Sequence, residues 1–230
     1  MSVTFQLSQI RETLPPTIDL VAVSKFQDLS AIEEAYHAGQ RMFGENRVQE
    51  LLFKYDRLPK DIQWHFIGHL QLNKAKYIAP FVDTVQSADS LRLLNELNQC
   101  AGKFNRRIPT MLQVHIAQEE HKFGFFFEEI EDLLRNKSLD SFVHLKITGL
   151  MGIATYTEDQ EQIRKEFSSL AAFFRKMKNQ YFVDNADFKE LSMGMSDDYR
   201  IAVEEGSTMV RIGSKIFGLR KNTDKKLFES

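Results

Sequence analysis

Short apolar, β-branched runs alternate along the chain with longer stretches in which apolar residues recur every three to four positions. The short runs fall at residues 20–23, 41–43, 64–67, 84–86, 110–116, 145–150, 190–192 and 209–212, and each reads as a strand. The longer stretches, at residues 30–38, 47–57, 72–78, 90–103, 128–135, 157–178 and 197–205, read as amphipathic helices. Gly39 and Pro80 stop two of them, and the 157–178 stretch carries acids early and bases late, as the helix dipole favours. Strands separated by helices must pair in parallel, because a parallel pair needs a long crossover. Eight such units predict an α/β fold closed into a single (β/α)8 TIM barrel, with residues 1–230 as one domain. An open doubly wound sheet is the rival, but no G-x-G-x-x-G fingerprint follows the first strand.

A barrel gathers the C-terminal ends of its strands on one face, where barrel enzymes place their chemistry. The residues at those positions are Ser24-Lys25, Gly44-Glu45-Asn46, Gly68-His69, Gln86-Ser87, His115, Met151-Gly152, Ser192-Met193-Gly194 and Gly213-Ser214. Polar residues and glycines collect there while the strands are apolar, which is the pattern of a site. Lys25 directly follows an apolar strand, so its amine is expected to be partly desolvated, which favours the neutral, nucleophilic form. A surface loop lysine would look the same. The segments 191–196 and 206–214 follow strands seven and eight, where barrels bind phosphate on backbone N–H groups and hydroxyls. Gly194 is equally suited to a tight turn, and Ser196 to an ordinary helix N-cap. Arg211 sits between Val210 and Ile212, so it needs either a structural ion pair or a polar ligand.

The net charge of −2 excludes a nucleic-acid grip built on bulk basic charge. The lone cysteine, Cys100, excludes an internal disulfide and suits a reducing compartment. The polar, amphipathic N-terminus does not read as a signal peptide, and no apolar run suggests a membrane span, so a cytoplasmic protein is expected. His65 and His69 are four apart but fall on a strand and its loop, and His115, His121 and His144 show no ligand spacing, so no metal site is expected.

Residues 22–25, 43–50 and 66–74, the Gly149-Leu150-Met151 triplet, and the stretch 191–218 together resemble the pyridoxal phosphate homeostasis family, in the family's order and over nearly the full length. The resemblance implies the barrel of the alanine racemase N-terminal domain, PLP fold type III, with pyridoxal 5′-phosphate (PLP) as cofactor. It implies that Lys25 holds PLP as an internal aldimine and that Ser192, Gly213 and Ser214 position the phosphate. Arg211 then lies near the pyridine nitrogen, Asn46 near the opposite ring edge, and Met193 adds a main-chain contact. His115 and His69 depart from the residues common in the family, and Lys122 is a candidate auxiliary amine. Arginine beside the ring nitrogen keeps it unprotonated and weakens the electron sink. The short lysine-rich segment after strand eight supplies no second domain and no second-face base. The implied role is therefore non-catalytic: a monomeric carrier in vitamin B6 homeostasis that releases PLP to apoenzymes. The rival readings are a PLP-dependent amino-acid racemase or lyase, and a barrel for another phosphorylated metabolite.

Overall fold

A computed structural model describes residues 2–119 and 123–218. Its eight parallel strands form a closed barrel in sequence order, β1 pairing with β8. The strands are β1 (Asp19–Val23), β2 (Met42–Glu45), β3 (Gln63–Phe66), β4 (Thr84–Ala88), β5 (Ile108–Val114), β6 (Leu145–Gly152), β7 (Glu190–Ser192) and β8 (Met209–Ile212). The expected α/β barrel is therefore present. β7 and β8 occupy the predicted residues, whereas β2 begins one residue later and runs two further, and β5 ends at Val114 rather than Ile116.

The helices are α1 (Val3–Thr13), α2 (Leu29–His37), α3 (Val48–Arg57), α4 (Ala75–Ile78), α5 (Leu91–Gly102), α6 (Phe127–Arg135), α7 (Gln160–Tyr181), α8 (Tyr199–Glu204) and α9 (Ser214–Phe217). α7 starts at Gln160 because the Asp159 carboxylate accepts from the N–H groups of Glu161 and Gln162 at 3.0 and 3.2 Å, an N-cap that Thr157 does not provide. The predicted 72–78 helix is a 3-10 turn over Leu72–Lys74 followed by the single α-turn of α4. No helix among the described residues is long and apolar enough to cross a membrane.

Two apolar layers follow from strand alternation. Outward residues such as Leu20, Ala22, Phe43, Trp64, Phe66 and Val85 join the main core beneath the helices. Inward residues Val21, Met111, Met151 and Met209 form a separate plug inside the barrel. At the β7–β8 seam only Ser192 and Met209 are in register. There the Ser207 hydroxyl lies 2.8–3.1 Å from the carbonyls of Leu191, Met193 and Met209, joining the two strands where the ladder is short.

Candidate functional site

Above the plug, at the C-terminal mouth of the barrel, lies a cavity of about 720 Å³. Its position follows from the fold, since each strand delivers its last residues to this end. Val23, Gln113 and Ile153 extend the inward rows of β1, β5 and β6 into its wall. Lys25 and Asn46, from the β1 and β2 ends, stand on it, as do Arg211, Gly213 and Ser214 from β8 and beyond. Five of the seven expected site residues therefore share one cavity.

Arg211 is almost fully buried. Its Nη1 donates to Ser192 Oγ at 2.6 Å and its Nη2 to the Gly152 carbonyl at 2.9 Å. Burial lowers its pKa to about 10, with Asp198 opposing the shift, so the guanidinium stays charged at neutral pH. The chain of bonds continues away from the cavity. Ser192 donates its hydroxyl proton to Gln86 Oε1 at 2.7 Å, and Gln86 Nε2 lies 2.8 Å from His65 Nδ1. Because the Gln86 oxygen accepts from Ser192, its amide nitrogen must face the imidazole, whose Nδ1 is then an unprotonated acceptor. Burial supports that state, pushing the His65 pKa down to about 4.

Ser192, expected at the phosphate, sits within this network and off the cavity wall. The residue is fully buried, does not line the cavity, and its oxygen and proton are both engaged, by Arg211 and Gln86. Met193 is also fully buried, and its N–H and C=O are taken up by Met209 and Ser207. Met193, expected to add a main-chain contact, is not among the residues lining the cavity. The reason is the turn that follows: Gly194, at φ +94°, carries the chain round so that Met195 and Ser196 reach the wall instead. A Cβ at Gly194 would lie 2.6 Å from Ala202 Cβ. Ser196 Oγ accepts from the Gly213 N–H at 3.3 Å, tying the two segments expected to meet phosphate. Ser196 carried two signals in the sequence, as part of the expected phosphate segment and as an N-cap; α8 begins only at Tyr199, with Asp198 at the cap position.

The opposite wall is set by Gly68, where a Cβ would lie 2.4 Å from the Asn46 carbonyl oxygen, so only glycine permits this approach of β3 to the Asn46 backbone. The Asn46 Oδ1 is buried and has no hydrogen-bond partner among the described residues. His69 lines the rim, its Nδ1 2.8 Å from Asp89 Oδ2 and its ring stacked on Phe123 at 3.8 Å. His115 packs near Phe126, ring centroids 5.2 Å apart. Lys122 lies outside the described residues. Among the described residues no three His, Cys, Asp or Glu side chains gather as metal donors.

The site can therefore present an amine, a buried cation and an unpartnered amide oxygen to one small molecule, with glycine and serine groups at one end. The family model for the alanine racemase N-terminal domain matches residues 2–221. The chain is 38% identical over 203 residues to the pyridoxal phosphate homeostasis protein of Aquifex aeolicus, covering 88% of this chain and 87% of the relative. It is similar to PipY of Synechococcus elongatus, solved with PLP bound, at 36% identity and a TM-score of 0.86, covering 94% of this chain and all of that one. An alanine racemase of Clostridium difficile shares the fold at a TM-score of 0.75 and 15% identity, with 97% of this chain matching 57% of that one.

Proposed function

This chain belongs to the alanine racemase N-terminal domain family and, within it, to the pyridoxal phosphate homeostasis proteins, and from that premise we propose that it binds PLP at the barrel mouth, holds it through Lys25, and releases it to apoenzymes. The observation that carries the reading is the convergence of Lys25, Asn46, Arg211, Gly213 and Ser214 on one cavity. The buried, unpartnered Asn46 Oδ1 fits a ligand that brings a hydrogen-bond donor to that edge.

When bound, the cofactor supplies an aldehyde that a neutral amine can capture reversibly. The chain supplies the rest. Lys25, half-buried at the β1 end, is the amine. Arg211, charged and held by Ser192 and Gly152, would face the ring nitrogen and hold it unprotonated, which suits storage over carbanion chemistry. Gly213 and Ser214, joined by Ser196, bind the phosphate; Ser192 acts one step back by holding Arg211, and Met193 by its packing. The protein is a B6-homeostasis carrier rather than an enzyme. It acts as one cofactor-binding unit over residues 1–230, as a monomer and in the cytoplasm.

PLP titration followed by absorbance tests the reading. Wild type takes up one equivalent, and Lys25→Ala keeps only weak, phosphate-driven binding. Loaded protein mixed with an apoenzyme restores that enzyme's activity. Unaltered uptake by Lys25→Ala overturns the assignment. Among the described residues the His69–Asp89 pair on the rim favours a racemase or lyase, since an imidazole held by a carboxylate is a usual acid–base pair. Turnover of amino-acid enantiomers that disappears in His69→Phe would establish that reading instead.

A further inference from the structure

Lys25 is followed by an unusual stretch of backbone. Phe26 adopts φ +61°, a left-handed conformation that bulky side chains rarely take. The peptide groups on both sides of Lys25 are gripped from one place, the gap between the barrel and α3. Lys54 Nζ donates to the Ser24 carbonyl at 2.7 Å, and Ser24 Oγ donates to Glu45 Oε1 at 2.6 Å. On the other side, the Phe26 N–H donates to Glu50 Oε1 at 2.5 Å. Lys54 Nζ also reaches Glu45 Oε1 at 2.7 Å and Glu50 Oε1 at 2.6 Å, so a single ammonium joins every one of these contacts.

The cluster is completely enclosed, with side-chain exposures of 1% for Lys54 and 0% for both acids. Elsewhere this layer is apolar, built of residues such as Ala22, Phe43 and Trp64. Two carboxyls and one ammonium are a poor choice for stability alone, because the desolvation of buried ions offsets their attraction and an apolar trio of equal volume would hold α3 as well. Burial also pushes the Glu45 pKa up to about 7, against the pull of Lys54. Each acid also leaves its Oε2 buried without a partner among the described residues, a further cost to stability, so what the cluster offers is the placement of the groups it does bond.

We propose that Lys54 is a positioning residue for Lys25: with Glu45 and Glu50 it clamps the Ser24 carbonyl and the Phe26 N–H, and so aims the Lys25 amine into the cavity. The inference rests on the reading of Lys25 as the residue that captures PLP, and it adds how the amine is aimed. Lys54 is not among the residues lining the cavity.

The experiment is a double-mutant cycle with PLP as the probe. Lys54→Met, which keeps the length of the side chain and removes its charge, is expected to slow PLP capture and weaken its affinity by between about ten- and a hundredfold, as misplacing a reactive group does. In a Lys25→Ala background the same substitution leaves the residual PLP affinity unchanged, because that phosphate-driven binding rests on Gly213 and Ser214 beyond β8, with which Lys54 shares no hydrogen bond. Equal losses in both backgrounds mean a general structural role and overturn the proposal, as does wild-type capture by Lys54→Met. Circular dichroism checks the fold. If Lys54→Met does not fold, the near-isosteric Glu50→Gln, which loosens the Phe26 side of the clamp, is put through the same cycle with the same two readings. Wild-type protein that captures no PLP overturns the functional reading itself, and the clamp with it.

Discussion

Replacing Ser192 with alanine separates two roles that this serine can have. Its oxygen accepts from Arg211 Nη1 at 2.6 Å and its proton goes to Gln86 Oε1 at 2.7 Å, all three residues being buried. The loss of a hydrogen bond to a charged group costs about 1.5–3 kcal/mol, and stranding the buried Gln86 oxygen costs about 1–3 kcal/mol more. The two share one hydroxyl and are not additive, so Ser192→Ala is expected to destabilise the cofactor-free protein by roughly 3 kcal/mol, read from urea unfolding. Loss of this contact also frees Arg211 to shift. Affinities for PLP and for pyridoxal, which lacks the phosphate, should then fall by the same factor, since the ring-nitrogen contact is common to both. A loss confined to PLP, with a stability change under about 0.5 kcal/mol, would put Ser192 on the phosphate and refute the network.

Ser196→Ala should behave in the opposite way, lowering PLP affinity by about tenfold while leaving pyridoxal unaffected, because one phosphate hydrogen bond is lost. Equal losses for both ligands would remove Ser196 from the phosphate end. Gly68→Ala pushes a methyl group to 2.4 Å from the Asn46 carbonyl oxygen and 2.7 Å from its Cα. Backbone must move, so a destabilisation of about 1–3 kcal/mol and weakened PLP uptake are expected; wild-type uptake would show that the Asn46 position does not matter. Two deeply buried groups pull the pH dependence of stability in opposite directions. Glu45, raised from 4.5 to about 7, favours the folded state when protonated, so its contribution is full below pH 4.5 and is lost as pH rises through about 7. His65, lowered from 6.5 to about 4, favours the folded state when neutral, so its contribution is lost as pH falls from 6.5 through about 4. Glu45→Gln removes the first. Measured against the same variant carrying His65→Phe, a comparison that cancels the opposing raised carboxyls Asp83 and Asp198, it should gain roughly 3 kcal/mol from below pH 4 to above pH 6.5 in urea melts. A flat or falling difference between the two variants contradicts the burial of a neutral His65.

The barrel was legible because its strands are short apolar runs punctuated by glycine and polar ends, and β7 and β8 fall on the residues that pattern marks. α4 was less so, since the 72–78 periodicity does not distinguish a 3-10 turn from a helix. Arg211 announced itself as a charge inside an apolar strand, and the choice between ion pair and ligand resolves into a network that leaves it facing the cavity. Ser192 and Ser196 were both visible, but which of them reaches the cavity depends on the Gly194 turn, which no spacing rule encodes. The Lys54 cluster was the least visible part. Glu50 and Lys54 are an i, i+4 pair of the kind that ordinarily lies on a solvated helix face, and nothing local shows that α3 turns that face onto Glu45.

The most direct measurement is borohydride reduction of the PLP-loaded protein followed by peptide mass mapping. Lys25 should carry the pyridoxyl group in near-stoichiometric yield, with the labelled peptide absent from Lys25→Ala. A label on another lysine, or none at all after PLP is added, would mean that the amine at the β1 end does not hold the cofactor.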